Sequence, residues 1–142
     1  MHIGFTGTQL GMTEAQKNVF ERILLSLQKK KKEKLVFHHG DCIGADAEAH
    51  KIAKALGYWI IGHPPENESK RAFCNVDDQE EPYEYLYRNT RIAKCSDLLI
   101  ATPKEYSEQM RSGTWSTIRR GRTAKKNIII IFPNGSVSKE AA

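Results

Sequence analysis

Short apolar runs alternate along the chain with longer segments in which apolar residues recur every three or four positions. The runs have the length of β-strands, whereas the period of the longer segments is typical of amphipathic α-helices. The runs predict five strands, at HIGFTG (2–7), KLVFHHG (34–40), YWIIGHPP (58–65), DLLIATP (97–103) and NIIIIFP (127–133). The periodic segments predict four helices, at MTEAQKNVFERILLSLQKK (12–30), GADAEAHKIAKALG (44–57), PYEYLYRNTRIAKCS (82–96) and TWSTIRRGRTAKK (114–126).

This alternation also predicts the fold class. Nearly continuous apolar strands that alternate with helices are typical of a parallel sheet covered on both faces. We therefore predict an α/β fold, a Rossmann-like doubly wound sheet of about five parallel strands with helices on both faces. The length of 142 residues fits one domain. We assign residues 1–135 to it, with 66–81 as a long polar loop or lid and 136–142 as a disordered tail.

The formal charge of +5 and the pI near 9.1 favour an anionic ligand. No apolar run approaches the roughly 20 residues that a membrane span needs, and no signal peptide is recognisable. The three cysteines are widely spaced and form no CxxC pair, which indicates neither a disulfide framework nor a zinc knuckle. We therefore expect a cytoplasmic protein with no membrane partner.

In doubly wound sheets, ligands bind beyond the carboxyl ends of the strands, where the strand order reverses. Glycines at that edge let the backbone approach a ligand, and free N–H groups at a helix start bind anions. The RSGTW turn (111–115) is the best phosphate site, although it matches neither the Walker A pattern nor GxGxxG. The candidate nucleotide- and phosphate-binding residues at this edge are Gly7, Thr8, Gly40, Asp41, Gly44, Asp46, Pro103, Arg111, Ser112, Gly113 and Thr114.

Three charged residues near this edge are candidates for further roles. Asp46 lies in the first turn of a predicted helix, where its carboxylate either stabilises the helix dipole or binds a ribose. Arg88 follows a tyrosine-rich run and is interpreted as a partner of phosphate or carboxylate. Glu108 precedes the RSGTW turn, where a carboxylate can act on a ribosyl bond. We name Glu108 and Arg88 as candidate catalytic residues.

A metal site is a competing interpretation, because His38, His39, Asp41 and His63 could all approach the same edge. Successive residues of a strand point to opposite faces of the sheet, so that His38 and His39 do not readily serve one ion. We therefore expect no metal site and no cofactor.

Six segments together resemble a known family: GFTGTQLGMTEAQ, HHGDCIGADAEAH, GHPP, RAF, YLYRNTRIAKCSDLLIATP and RSGTWSTIR. Their order is similar to that of the SLOG superfamily, which groups LOG-type nucleotide phosphoribohydrolases, DprA-like DNA-processing proteins and nucleotide-sensing domains of bacterial immunity. The chain resembles most the small YpsA-related branch of bacteria and phages. The resemblance implies that a nucleotide or an ADP-ribose-like ligand binds at the carboxyl edge of the sheet.

In LOG enzymes an arginine precedes the aspartate of the fourth strand by nine positions, as Arg88 precedes Asp97 here. Their PGGxGTxxE motif supplies phosphate-binding glycines and a catalytic glutamate, whereas Thr117 occupies the glutamate position in this chain. The resemblance thus implies one of two functions. Either Glu108 or a residue such as Asp46 supports hydrolysis of the N-glycosidic bond of a nucleoside 5′-monophosphate, or the protein senses or sequesters a nucleotide signal without turnover.

A further alternative is DprA-like binding of single-stranded DNA, which is supported only by the excess of basic over acidic residues. The basic residues of the fourth helix spread around its circumference, so we expect no nucleic-acid partner. They are Arg119, Arg120, Arg122, Lys125 and Lys126. Many SLOG proteins are dimers, and the resemblance therefore implies a homodimer or higher homo-oligomer, with the tyrosine-rich third helix and Trp115 as an interface.

Overall fold

The predicted alternation of strands and helices is confirmed by the computed structural model, which describes residues 1–142. The helices α1–α4 are Glu14–Lys30, Ala45–Ala55, Tyr85–Cys95 and Gly113–Thr123. None of them combines the length and the apolar character that a membrane crossing requires. The strands β1–β7 are His2–Gly7, Val36–His39, Trp59–Gly62, Asp78–Gln79, Leu98–Thr102, Asn127–Ile131 and Val137–Glu140.

All seven strands form one sheet, in the order β4-β3-β2-β1-β5-β6-β7. Neighbouring strands are parallel, except that β7 runs antiparallel to β6. The chain extends the sheet in one direction from β1 to β4 and in the other direction from β5 to β7. The strand order therefore reverses between β1 and β5, which is where sheets of this class bind ligands.

The two faces of the sheet bury separate cores, because alternate side chains of each strand point to opposite faces. Helices α1 and α2 cover the first face, whose core includes Phe5, Phe20 and Phe37. Helices α3 and α4 cover the second face, whose smaller core includes Leu99 and Ile118. The fold is thus doubly wound, as predicted.

Helix α1 begins at a capping box formed by Thr13 and Gln16. The Thr13 hydroxyl accepts a hydrogen bond from the Gln16 amide, and the Gln16 side chain accepts one from the Thr13 amide, both at 3.0 Å. The buried Gln16 Nε2 also donates to the carbonyls of Pro103 and Ile131, at 2.8 and 2.9 Å. The cap therefore ties the start of α1 to the carboxyl ends of β5 and β6.

The prediction of a disordered tail is wrong, because residues 137–140 form the edge strand β7. Gly135, with a φ of +87°, allows a tight turn in which the Phe132 amide donates to the Ser136 carbonyl at 2.8 Å. An ion pair of 2.8 Å between Arg122 and Glu140 also holds the strand. Together with β4, this strand gives a sheet of seven strands rather than about five.

Residues 66–81 form mostly loop, and this loop is anchored to the domain. It contains a short 3-10 turn at Glu68–Lys70, and β4 adds to the sheet beside β3. The Asp41 carboxylate accepts hydrogen bonds from Arg71 Nε and from the Cys74 amide, each at 2.8 Å. The predicted ligand-binding residue Asp41 therefore fixes this loop.

Candidate functional site

A cleft of about 910 Å³ opens at the carboxyl ends of β1 and β5, where the strand order reverses. Small-molecule sites in proteins have volumes on the order of 300–1,000 Å³. The cleft is bounded by the turn after β1 and by the N-terminal ends of α3 and α4. The predicted site residues that line it are Gly7, Thr8, Asp46, Arg88, Arg111, Ser112, Gly113 and Thr114.

The N-terminus of α4 presents free hydrogen-bond donors to this cleft. Ser112 caps the helix by accepting a hydrogen bond from the Trp115 amide at 3.2 Å. The amides of Gly113 and Thr114 donate to no acceptor in the chain, and the exposed Arg111 adds a positive charge. Free amides, the helix dipole and an adjacent guanidinium together favour an anion such as phosphate at this position.

The neighbouring N-terminus of α3 differs, because it is already capped by a carboxylate. Glu84 accepts hydrogen bonds from the amides of Leu86 and Tyr87, at 3.2 and 2.9 Å. The two helix starts lie close together, and a Cβ on Gly113 would overlap the Tyr85 hydroxyl. An anion entering the cleft is therefore repelled by the start of α3 and attracted to that of α4.

Two buried side chains of α3 line the cleft with unpaired donors. Arg88 is 6% exposed, and its Nη1 donates to the Gly40 carbonyl at 2.9 Å, whereas its Nε has no hydrogen-bond partner. Asn89 is 3% exposed, and its Nδ2 also lacks a partner. A buried unsatisfied polar group costs about 1–3 kcal/mol. These two donors are therefore the groups that would gain most from acceptors on a bound molecule.

Two predicted glycines position the cleft residues without lining the cleft. A Cβ on Gly40 would overlap Arg88 Nη1 and lie 2.9 Å from the Asp46 carboxylate. Gly44 has a φ of +89°, and a Cβ there would overlap the main chain of Gln9. Both positions thus require glycine for close approach within the protein.

Asp46 is a buried acid at the cleft. The residue is 6% exposed, and its carboxylate accepts a hydrogen bond from the Cys42 amide at 3.2 Å. Burial raises the pKa of Asp46 to about 6, and the positive charge of Arg88 opposes that rise. A carboxyl group with this pKa can exchange a proton near neutral pH, which is a property of general acids and bases.

The structure does not bring the remaining predicted residues to the cleft. Asp41 holds the loop 66–81, and the Pro103 carbonyl accepts a hydrogen bond from the cap of α1. The Glu108 carboxylate pairs with Arg119 and Arg122, each at 2.9 Å, and it is 40% exposed. Glu108 is thus engaged on the surface and does not line the cleft.

Thr117, which occupies the glutamate position of the LOG enzymes, points into the protein. It is 1% exposed, and its hydroxyl donates to the Gly113 carbonyl at 3.0 Å within α4. The cleft instead contains another acid, Glu105, which accepts a hydrogen bond from Trp115 Nε1 at 3.0 Å. Helix α4 itself therefore carries no acidic residue that could replace the glutamate of the LOG enzymes.

Several cleft-lining residues were not predicted from the sequence: Lys70, Tyr85, Asn89, Lys104 and Glu105. Lys70 belongs to the polar loop, and Lys104 and Glu105 belong to the insertion after Pro103. No local motif marks any of them. For Lys70, Lys104 and Glu105 the only signal is that both segments adjoin the carboxyl edge of the sheet.

No protein-family model and no curated protein matches the sequence, whereas several solved structures match the fold. The molybdenum cofactor binding protein from the phototrophic bacterium Rippkaea orientalis superposes with a TM-score of 0.71 and is 22% identical. The match covers 92% of this chain and 76% of that protein.

Two other structures show the same likeness. A structural genomics protein designated TM1055 has a TM-score of 0.63 and 13% identity, over 89% of this chain and 71% of that one. DNA processing protein A (DprA) from Streptococcus pneumoniae has a TM-score of 0.66 and 19% identity, over 91% of this chain. Because the match covers 49% of DprA, this chain spans about half the length of that protein. These likenesses confirm a Rossmann-like α/β fold.

Proposed function

We propose that the protein binds a nucleotide or an ADP-ribose-like ligand in the cleft, with a phosphate at the N-terminus of α4. The observation that supports this most is the pair of buried donors, Arg88 Nε and Asn89 Nδ2, which have no acceptor in the chain and lie at the cleft. A ligand with oxygen or ring-nitrogen acceptors would satisfy both, and its phosphate would satisfy the amides of Gly113 and Thr114.

The other cleft residues support the same class of ligand. Lys70, Lys104 and Arg111 supply positive charge to the cleft. The Tyr85 ring is 45% exposed at the cleft and offers an aromatic surface for a base. The Rippkaea orientalis protein, which has a similar fold, is described as a molybdenum cofactor binding protein, and that cofactor is a small molecule.

Calorimetry with AMP, ADP-ribose, adenosine and inorganic phosphate tests this proposal. We expect AMP or ADP-ribose to bind, and adenosine to bind at least about tenfold more weakly because it lacks the group that α4 attracts. Arg111→Gln should weaken binding of the phosphorylated ligand by a similar factor. Arg22→Gln is the matched control, since Arg22 is exposed on α1 and does not line the cleft. Absence of binding by every compound, or equal loss in both variants, would contradict the proposal.

Hydrolysis of the bound ligand is a second candidate function, and Asp46 is the observation that favours it. A buried acid with a pKa of about 6 is suited to protonate a leaving base at the glycosidic bond. Arg88 lies beside it and would orient the phosphoribosyl group. Glu108 has no part in this proposal, because its carboxylate is paired with Arg119 and Arg122 outside the cleft.

Base release from a panel of nucleoside 5′-monophosphates tests hydrolysis separately. We expect the wild type to release a base and Asp46→Asn to lose this activity while retaining binding in calorimetry. If the wild type binds a nucleotide and releases no base, the protein is a nucleotide sensor or sequestering protein. Binding and turnover thus have independent readouts.

Single-stranded DNA is not the ligand that we favour. Arg119 and Arg122 of α4 both form ion pairs with Glu108, and Arg122 also pairs with Glu140. This pairing leaves fewer free cations on α4 than its sequence suggests. Weak binding of a single-stranded oligonucleotide, unchanged by Arg120→Gln, is the expected result.

The homo-oligomer implied by the resemblance stays a prediction, with one change. Trp115 is 3% exposed and lies in the core of the second face, so it does not form a surface for a partner. Tyr85, Leu86 and Tyr87 of α3 are each 45–47% exposed and remain available. Light scattering of the wild type and of Leu86→Glu would measure whether this helix mediates association.

A further inference from the structure

Strand β2 places histidines on both faces of the sheet, and each histidine joins a cluster with a second histidine and a cysteine. The first cluster consists of His38, His63 and Cys95, and the second consists of His39, His50 and Cys74. In each cluster, one nitrogen or sulfur atom from every residue lies within 4.8 Å of the other two. The clusters have the same composition, but their surroundings differ.

In the first cluster, the outward nitrogens of both imidazoles lie beside polar groups. His38 Nδ1 and His63 Nε2 face each other at 2.9 Å. On the opposite side of the His38 ring, Nε2 lies 2.7 Å from His2 Nδ1. His63 Nδ1 lies 2.9 Å from the Glu80 carboxylate, which Arg91 also contacts, but the two groups are not aligned for a hydrogen bond. A metal-ligating histidine usually has such a partner on its other nitrogen, often a carboxylate.

These partners allow both imidazoles to direct lone pairs inward. When His63 carries its proton on Nδ1, the nitrogen beside Glu80, its Nε2 is free to ligate a metal. When His38 carries its proton on Nε2, it can donate to His2 Nδ1, and its Nδ1 is then free. His2 is exposed and can accept or donate as required. Each ligating nitrogen is thus available on a neutral ring.

The second cluster does not allow this arrangement. The Asp41 amide donates to His39 Nδ1 at 2.9 Å, so the proton of the neutral ring lies on Nε2. That proton points to His50 Nδ1, 3.0 Å away. His39 Nε2 would have to lose it and ligate as an imidazolate, against the hydrogen bond from Asp41. The second cluster is therefore a hydrogen-bonded pair within a sealed core.

We propose that His38, His63 and Cys95 bind a divalent transition-metal ion of the zinc type. Two imidazole nitrogens and a thiolate are ligands that Zn²⁺ prefers, with a solvent molecule as the fourth ligand. Binding forms one metal–sulfur and two metal–nitrogen bonds in exchange for metal-bound waters, and the Cys95 thiol releases its proton to solvent. Metal–nitrogen bonds of about 2.0–2.1 Å in a tetrahedral site separate the two nitrogens by about 3.3 Å, so the rings need to move apart by a few tenths of an ångström.

This site would join α3 to the strands beneath it. Cys95 is the last residue of α3, whereas His38 belongs to β2 and His63 follows β3. The same helix places Arg88 and Asn89 at the cleft. The expectation that His38 and His39 do not share an ion stands, because they lie on opposite faces, but the expectation of no metal site is replaced by this proposal.

Titration of the chelator-treated full chain with Co²⁺ under reducing conditions tests the proposal. We expect one Co²⁺ per chain, a thiolate-to-cobalt charge-transfer band, and loss of the band on addition of Zn²⁺. Cys95→Ser should lose the band, whereas the matched control Cys74→Ser should retain it. A wild type without the band, a Cys95→Ser variant that retains it, or a Cys74→Ser variant that loses it would overturn the proposal.

Thermal unfolding provides a second readout that does not depend on the spectrum. Zn²⁺ should raise the Tm of the wild type and of Cys74→Ser, because it binds the folded state, and should leave the Tm of Cys95→Ser unchanged. Equal stabilisation of Cys95→Ser and the wild type would contradict the site. Both measurements use the metal alone, so neither depends on the ligand of the cleft.

Discussion

The two faces of the sheet differ in what they bury. On the first face, α1 and α2 enclose a core in which the rings of Phe5, Phe20 and Phe37 contact one another. On the second face, α3 and α4 cover a smaller apolar core and also bury Arg88 and Asn89, each with an unpaired donor. The first face therefore contributes mainly to stability. The second face buries polar groups that lower stability but can recognise a ligand.

The histidine clusters repeat this difference at the scale of one strand. His39 points to the first face, where it pairs with His50 and is fully buried. His38 points to the second face, where it joins a chain of polar groups that ends at the exposed His2. Residues adjacent in sequence thus acquire different chemistry because the pleat sends them to different faces.

The largest expected effect is loss of stability on the first face. Phe20 is 0% exposed and packs between α1 and the sheet, so Phe20→Ala should cost about 3–5 kcal/mol of the free energy of unfolding. Urea denaturation measures this cost. Molecules that remain folded should bind the phosphorylated ligand with wild-type affinity.

Tyr87→Ala is the control for this substitution, because Tyr87 is 46% exposed on α3. It should change stability by no more than about 0.5 kcal/mol. A loss as large as that of Phe20→Ala would mean that the second face supports the fold as strongly as the first.

The next effect is a pH dependence that arises from Asp46, which lies where the first face meets the cleft. Its pKa is raised from 3.8 to about 6 by burial, so the folded state binds the proton more tightly than the unfolded chain does. Asp46 therefore lowers stability as the pH rises from about 4 to about 6, by at most about 3 kcal/mol.

Asp46→Asn removes this titration. The stability of the variant relative to the wild type should increase between about pH 4 and pH 7, as measured by urea denaturation across that range. If the stability difference between the variant and the wild type does not vary with pH, burial does not raise the pKa of Asp46.

A smaller effect is expected at Gly40, where the loss of stability and the loss of ligand affinity can be measured separately. A Cβ would overlap Arg88 Nη1, so Gly40→Ala should displace the guanidinium and cost about 1–3 kcal/mol of stability. Because Arg88 lines the cleft, ligand affinity should also fall. Calorimetry and denaturation together measure the two losses.

Gly57→Ala is the matched control. Gly57 has a φ of +88° with open space around its Cβ position, so alanine should cost about 1–2 kcal/mol through backbone strain alone. Ligand affinity should remain that of the wild type. If both variants lose affinity equally, general destabilisation explains the loss at Gly40.

The hydrophobic pattern predicted the inner part of the fold well, for a physical reason. Strands β1, β2, β3, β5 and β6 each have at most one exposed residue, and such burial requires the apolar runs that were read from the sequence. The edge strands β4 and β7 are short and polar and carry no such run. The Asn134-Gly135 turn was the one available signal for β7.

The candidate site was predicted less completely, because its properties depend on partners distant in sequence. Strand order placed the RSGTW turn at the carboxyl edge of the sheet, and the structure brings Arg88 into the same cleft. No local pattern indicates that Asn89 Nδ2 lacks an acceptor, since that depends on what packs around it. Proximity to the phosphate turn likewise failed to predict that Glu108 turns toward the C-terminal half of α4.

The smallest expected effect concerns that residue. Glu108 is 40% exposed and pairs with Arg119 and Arg122, and exposed ion pairs contribute about 0.2–1 kcal/mol. Glu108→Gln should therefore lower stability by no more than this amount and leave ligand affinity and any base release unchanged. The comparison with Asp46→Asn is direct, because both substitutions convert an acid into its amide. Loss of base release in Glu108→Gln but not in Asp46→Asn would place the catalytic acid on the loop before α4, which would then have to leave its arginine partners to reach the cleft.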